Sequence, residues 1–473
     1  MAKKNNAFFC KECGYESIGW LGKCPACGNY GTFVEAPSAS ASKGTSGKAG
    51  SNPSPVFTAG SYSWTASNTT LKLSECGKET YRRHSTGIAE LDTLFGGGIC
   101  DGSVTLVAGE PGIGKSTLLL QLADRYDSRD AEVFYVSGEE SPSQIKLRAD
   151  RLGVTRDILI CAQTRFETIA EEIADKHPGL VIIDSIQTLY SEQVSGTPGS
   201  VTQAREVTAG LVRIAKTNNI SIILVGHITK EGSIAGPKIL EHMVDTVLDF
   251  EGDSSGGYRI LRVLKNRFGK SGELTFFEMS SSGLLPVANS SALLISGRPL
   301  NAAGSVLTAA IEGSTALPIE IQALVTDSCY QNPQRMTYGP DRARTNMIIA
   351  VCEKNFSIGL ASKDIFVNVI SGLKISDPAA DLALACAIIS SVRDIPVKDG
   401  TLILGEIGLS GEIRPVAGLS KRLTEAMSLG ITSAVLPGAM AKDIDKNKET
   451  FAKTGIDLIF ADNIHEAADI VFA

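Results

Sequence analysis

Nowhere in the 473 residues is there an unbroken run of 18 apolar residues, so no segment is expected to span a membrane. The opening Met-Ala-Lys-Lys-Asn-Asn leads into a cysteine- and glycine-rich stretch with no apolar core segment, so no export signal is expected and a cytoplasmic location is. Positive charge is also lacking: 45 Lys and Arg stand against 52 Asp and Glu, a net charge of −7. Such a chain has no global attraction for nucleic acid, and any binding of that kind must come from local basic loops. Hydrophobic content of 43% and charged content of 21% are ordinary for a globular protein. The length exceeds what one core organises, so roughly two to four domains are expected. Ten cysteines would allow disulfides, but four fall within the first 27 residues and the other six are scattered. Without an export signal, reduced thiols are the expectation.

The clustered cysteines form two pairs, Cys10-x-x-Cys13 and Cys24-x-x-Cys27, each followed by a glycine, Gly14 and Gly28. Each pair makes a tight knuckle whose glycine relieves the turn, so four thiolates converge on one tetrahedral ion. Structural zinc is the expectation, with a rubredoxin-like iron site or a redox pair as the alternatives. So small a segment needs its metal to fold. From Pro37 to Pro55 only Pro, Ser, Ala, Lys, Gly, Thr and Asn occur, nothing that fills a core, so the module at 1–35 is read as tethered by a flexible linker over 36–60.

The rest is organised around Gly109-Glu110-Pro111-Gly112-Ile113-Gly114-Lys115-Ser116-Thr117, between the apolar run Val104 to Ala108 and Leu118-Leu119-Leu120-Gln121-Leu122. Strand, glycine-rich turn and helix in that order are the context of a phosphate loop. Backbone amides and the helix N-terminus receive the anion, Lys115 reaches the β- and γ-phosphates, and the Ser116 hydroxyl ligates Mg²⁺. A nucleoside triphosphate is therefore the expected ligand. Further apolar strands end in polar residues: Glu132 to Val136 before Ser137-Gly138-Glu139-Glu140, Leu180 to Ile183 before Asp184, and Ile220 to Val225 before Gly226-His227. Helical stretches, roughly Gln144–Leu152, Arg165–Lys176 and Val201–Thr217, separate them. This alternation predicts an α/β fold with a parallel sheet covered on both faces and ligands at the strand C-termini. Asp184 is placed to hold Mg²⁺, directly or through water. Either Glu139 or Glu140 can polarise the attacking water. His227 is read either as a γ-phosphate sensor or as a hydrogen-bonded buried histidine.

These residues resemble the RecA-like P-loop ATPase core. Lys265-Asn266-Arg267-Phe268-Gly269, the N-terminal Cys₄ knuckle and the C-terminal block narrow the resemblance to the bacterial RadA (Sms) family of DNA repair proteins. The resemblance implies ATP, Mg²⁺ and Zn²⁺ as cofactors. It also implies a homo-oligomeric ring, a hexamer, acting on single-stranded and branched DNA beside the RecA recombinase, as a helicase or branch-migration motor. Lys265 and Arg267 follow the strand Tyr258 to Leu264 and are read as a neighbouring subunit's finger, as contacts to DNA phosphate, or as a plain solvated turn. The loops Ser191 to Gln203 and Thr229 to Lys238 have the composition of channel loops, which makes Gln203, Arg205, Lys230 and Lys238 the expected DNA contacts. The ATPase domain is placed at 61–285.

The region 286–473 is similar to the Lon protease domain, through Val369 to Lys374, Asp377 to Leu382 and Gly405 to Leu419. Proteolysis there needs a serine and a lysine. The family's serine position holds Ala379 and its lysine position holds Ser420, so the fold is expected to be an inactive scaffold. Arg342, Arg344, Lys421 and Arg422 are candidate surface cations on it. Two rivals follow from these resemblances: an ATP-dependent protease, and a nucleotide-switched signalling ATPase like KaiC, whose paired glutamates resemble Glu139-Glu140.

Overall fold

The structure is a computed structural model that describes residues 82–127, 132–227, 237–252, 258–287, 290–329, 332–370, 373–446, 451 and 454–472. It also describes short pieces of the first 35 residues: 8–10, 16–17, 20–23, 30–31 and 33–35. Two compact units emerge, one of residues 1–251, 263–269 and 281–284, the other of 252–262, 270–280 and 285–473.

In the first unit, β1 (Phe8–Cys10) pairs antiparallel with both β2 (Glu16–Ser17) and β3 (Phe33–Glu35). A second antiparallel pair, β4 (Arg83–His84) with β5 (Ile99–Cys100), encloses the short helix α1 (Ala89–Phe95). The main sheet is built from β6 (Val104–Gly109), β7 (Val133–Ser137), β8 (Leu159–Cys161), β9 (Leu180–Asp184), β10 (Ser221–His227) and β11 (Thr246–Gly252). All six are parallel, in the order β11-β6-β10-β9-β7-β8. Every residue of β6 and β7 is buried, which is why these strands read as continuous apolar runs: helices cover both faces. The covering helices are α2 (Lys115–Arg125), α3 (Pro142–Leu152), α4 (Phe166–Lys176), α5 (Val201–Asn218) and the short α6 (Pro237–Glu241). Between them lies a core that includes Leu106, Val136, Ile183, Leu211 and Leu224. α3 begins two residues before the expected Gln144 because Ser141 and Gln144 form a capping box and Pro142 occupies the first turn.

In the second unit, residues 258–262 of β12 (Tyr258–Asn266) form an antiparallel pair with β13 (Leu274–Ser280), and α7 (Ser290–Leu294) follows; β14 (Gly283–Pro286) is divided between the units after Leu284. A seven-stranded mixed sheet then runs in the order β17-β18-β16-β15-β19-β22-β23. Its strands are β15 (Ser305–Glu312), β16 (Thr315–Asp327), β17 (Arg335–Tyr338), β18 (Lys363–Val369), β19 (Thr401–Ile403), β22 (Ser433–Pro437) and β23 (Asp457–Ala461). A two-stranded ribbon, β20 (Glu406–Ile407) with β21 (Ile413–Arg414), stands apart. The helices are α8 (Arg342–Phe356), α9 (Asp381–Arg393), α10 (Leu419–Ser428), α11 (Ala441–Lys446) and α12 (Ile464–Val471). α9 is buried nearly all round, ten of its thirteen residues being inaccessible, and it forms the centre of the core with α8.

The one carboxylate in that buried helix is held by α8. Arg344 Nε donates to Asp381 Oδ1 at 2.6 Å, its Nη2 donates to Oδ2, and the Ile407 amide donates to Oδ2 at 3.1 Å. Arg344 is therefore a structural cation and not the surface contact the sequence led us to expect. Burial pushes the Asp381 carboxyl up, while Arg344 and the Ile407 amide pull it down. Removing the guanidinium leaves the upward push opposed mainly by one amide. The neutral acid is then favoured in the folded state, and stability falls as pH rises through the raised pKa. Arg344→Met should cost about 3 kcal/mol at pH 8 and less at pH 5 in urea denaturation. An equal cost at both pH values would contradict this account.

Candidate nucleotide site

The register of the parallel sheet brings its polar residues to one edge. Ser137 lies beside Asp184, His227 beside Gly109, and Asp249 beside Ala108. β6 ends at Gly109 with φ 155°, and a Cβ there would meet the Phe250 carbonyl oxygen at 2.6 Å, so only glycine lets the chain leave against β11. The loop 110–114 closes at Gly114, the N-cap of α2, where no side chain caps the helix. The first amides of α2 are thus left without a side-chain acceptor, as an anion site requires. Glu110, Pro111 and Gly112 are exposed, Ile113 is buried, and Ser116 and Thr117 lie half-buried in the first turn.

Lys115 is only 4% exposed. Its ammonium folds back onto the loop, donating to the Gly109 and Glu110 carbonyl oxygens at 2.8 Å each. Burial pushes it down to about 8, against the charges of Asp184, Glu139, Asp249 and Glu110, which raise it. The cradle and a long-armed cation fit a triphosphate. The Ser116 hydroxyl and Asp184 carboxylate are the hard oxygen donors that a Mg²⁺ ion takes.

The paired glutamates separate in role. Glu140 is engaged by the Arg148 guanidinium of α3, while its own amide donates to Ser137 Oγ at 3.0 Å. Glu139 is half-exposed and accepts from Ser185 Oγ at 2.7 Å, with His227 Nε2 at 3.3 Å. Between β7 and the turn after β9 the chains approach closely: a Cβ on Gly138 would lie 1.9 Å from Thr188 Oγ1. The glycine between Ser137 and Glu139 is needed for that contact. Asp184 accepts from the Tyr135 hydroxyl at 2.6 Å. Tyr135, Ser185 and Arg148 were not singled out from the sequence, where Tyr135 reads as one more apolar strand residue.

The Lys265–Gly269 stretch is mostly consumed internally. Lys265 Nζ donates to the Glu241 and Val244 carbonyl oxygens at 2.8 Å each. Asn266 Nδ2 donates to the Leu94 carbonyl at 3.1 Å, and its Oδ1 accepts from the Phe268 amide at 2.9 Å. The Phe268 carbonyl accepts from Arg83 at 2.7 Å, and the Lys216 ammonium stands 5.6 Å from the Phe268 ring centre. Arg267 differs: its side chain is 58% exposed and, among the described residues, pairs at 3.4 Å with Asp245, which also pairs with Lys216 at 2.6 Å.

Of the expected DNA contacts, Arg205 is exposed on the first turns of α5. Gln203 is not: it is 1% exposed, its Oε1 accepts from the Ser191 amide, and its Nε2 donates to the Ser191, Val194 and Gly196 carbonyls. It holds the 191–196 loop from inside and is not the DNA contact expected of it. Lys230 and the side chain of Lys238 lie outside the described residues. So do Cys13, Cys24 and Cys27; Cys10 ends β1.

In the second unit Ala379 is buried within the turn Pro378–Ala380, and Ser420 is exposed on α10. Beside them runs a buried ion pair whose cation was expected at the surface. Arg422, 1% exposed, donates to Asp377 Oδ2 at 2.7 Å and to the Ala417 carbonyl at 3.0 Å, and Nη1 donates to the Ala309 carbonyl. Lys421 donates to the Ser314 carbonyl at 2.8 Å, and Ser376 and Arg342 are exposed.

The depressed Lys115 makes nucleotide binding proton-linked. A triphosphate restores the ammonium, so ATP binding at pH 8 should take up about half a proton per site. Calorimetry in buffers of different ionisation enthalpy reads this directly. Lys115→Arg, which stays charged, should take up none, and zero uptake by the unsubstituted protein would contradict the buried-ammonium account.

Three families match in succession along the chain: one described as Rubredoxin metal binding domain over residues 8–35, one as AAA domain over 69–233, and one as Subunit ChlI of Mg-chelatase over 341–440. They fall in the order expected for an N-terminal Cys₄ module, a P-loop ATPase and a C-terminal Lon-like α/β region. A DNA repair protein RadA from Halalkalibacterium halodurans is 44% identical over 443 residues, covering 92% of this chain and 93% of its own. Those of Aquifex aeolicus and Bacillus subtilis are 43% and 42% identical, covering 100% and 99% of this chain and 100% and 98% of their own. The chain belongs to the RadA family of DNA repair proteins.

Proposed function

We propose that this chain, a DNA repair ATPase of the RadA family, is an ATP-driven DNA motor that moves strands in recombination intermediates. The observation that carries the reading is the strand edge where Lys115, Asp184 and Glu139 converge behind a phosphate loop. In it the Gly109–Thr117 loop holds the phosphates. Ser116 and Asp184 would hold Mg²⁺, which when bound would neutralise phosphate charge. Glu139 is the general base, because Arg148 occupies Glu140. Ser185 orients the Glu139 carboxylate through its 2.7 Å hydrogen bond. Arg267, the exposed cation of its motif, is the group offered to a neighbouring subunit's ATP in a homo-hexameric ring, while Lys265 fixes the turn that presents it. Arg205, Lys230 and Lys238 are the residues assigned to single-stranded or branched DNA, and the RecA recombinase is the partner the family implies. The zinc module at 1–35, with Cys10, Cys13, Cys24 and Cys27 as ligands, is tethered by 36–60 to the ATPase domain at 61–285. The Lon-like region at 286–473 serves as a scaffold and not as a protease: Ala379 supplies no nucleophile, and Lys421 is bonded to Ser314.

ATP hydrolysis with and without single-stranded DNA tests the reading. DNA should stimulate turnover, and Arg267→Ala should lower it by at least about 100-fold with nucleotide affinity retained. Lys265→Ala should weaken the stimulation more than the basal rate. Hydrolysis indifferent to DNA would favour the KaiC-like switch instead, and ATP-dependent casein degradation would favour a protease.

A further inference from the structure

We propose that Tyr135 is a positioning residue for the divalent cation of the ATP site, acting through the Asp184 carboxylate. The inference rests on the reading of Asp184 as a magnesium ligand. It begins from register. β7 and β9 are parallel, with Ser137 directly beside Asp184, so Tyr135, two residues earlier on β7, projects on the same face of the sheet as Ser137. A tyrosine is long enough to span that diagonal, and its hydroxyl donates to Asp184 Oδ2 at 2.6 Å.

Packing alone does not call for this hydroxyl. Tyr135 is 1% exposed, among the largest fully buried side chains of the protein. In a strand whose other residues are apolar or small, phenylalanine would fill the same volume without burying a hydroxyl, which is costly unless hydrogen-bonded. The bond it makes goes to the one strand-end carboxylate that a cation needs. With Oδ2 taken, the carboxylate cannot rotate freely, and Oδ1 is the oxygen left for a ligand. Neither neighbouring cation supplies the same restraint. Arg148 is committed to Glu140, and the Lys115 ammonium is held by two carbonyls of the loop. Tyr135 thus does for Asp184 what Ser185 does for Glu139, and one carboxylate is set for the cation as the other is set for water.

Outer partners of metal ligands typically contribute 10- to 100-fold in metal affinity, so the expected loss is about 10-fold. The test uses the full chain and Tyr135→Phe, which removes only the hydroxyl. Mn²⁺ binding in the presence of ADP, followed by electron paramagnetic resonance, reads the site without turnover. The variant should bind Mn²⁺ about 10-fold more weakly, with the metal-free affinity for ADP unchanged. In turnover, the Mg²⁺ concentration for half-maximal rate should rise by a similar factor while the rate at saturating Mg²⁺ stays near that of the unsubstituted protein. Mn²⁺ affinity equal to the unsubstituted protein's, alongside a strong loss in Asp184→Asn, would overturn the role of Tyr135 alone. Equal Mn²⁺ affinity in Asp184→Asn as well would overturn the reading of Asp184 on which it rests.

Discussion

Carboxylates crowd the C-terminal edge of the parallel sheet, and one buried ammonium makes the crowding tolerable. Asp184 ends β9, Glu139 follows β7, Asp249 lies within β11 beside Ala108, Glu110 lies on the loop, and all four act on Lys115. Burial pushes the ammonium toward losing its proton, and those charges oppose it, while two loop carbonyls accept its hydrogen bonds. On the proposed function, a triphosphate and its cation would exchange one set of partners for another, the phosphates taking Lys115 and the metal the Asp184 carboxylate. The sheet register does the assembling, since parallel strands deliver all their C-termini to one side.

A second constraint ties the Lys265–Gly269 stretch to the same sheet. Asp245, just before β11, accepts from the Val104 amide at the start of β6 and from Lys216 of α5, and it also meets Arg267. Lys265 and Asn266 tie the motif to carbonyls at 241, 244 and 94. A pentapeptide that looks like a basic patch in sequence is, in the fold, a clasp that presents one guanidinium. That division explains why two cations two residues apart need not share a role.

Much of this was legible in the sequence. Apolar runs ending in Ser, Asp and His marked the strands, because fully covered parallel strands cannot alternate, and glycine at the strand-to-helix turn marked the phosphate loop. Each strand ran on through its polar end, to Ser137, Asp184 and His227, since those residues still pair with their neighbours. What could not be read was which polar side chains turn inward. Gln203 looks like a loop residue offered to DNA, yet its amide matches the orphan groups of the loop it closes. Arg344 and Arg422 look like surface cations, yet each neutralises an aspartate brought from elsewhere in the chain, Asp381 and Asp377. Tyr135 was silent because its hydroxyl acts across the sheet, on a residue 49 positions away. Pairings made by topology leave no local pattern.

If hydrolysis at this edge moves DNA, as proposed, the protein moves directionally along a single strand. Displacement of streptavidin from a biotin at one end of an oligonucleotide reports such movement. The account predicts displacement with ATP, none with ADP or a non-hydrolysable analogue, and none for Glu139→Gln even with ATP. Displacement that proceeds equally well without hydrolysis, or an active ATPase that never displaces from either end, would contradict it.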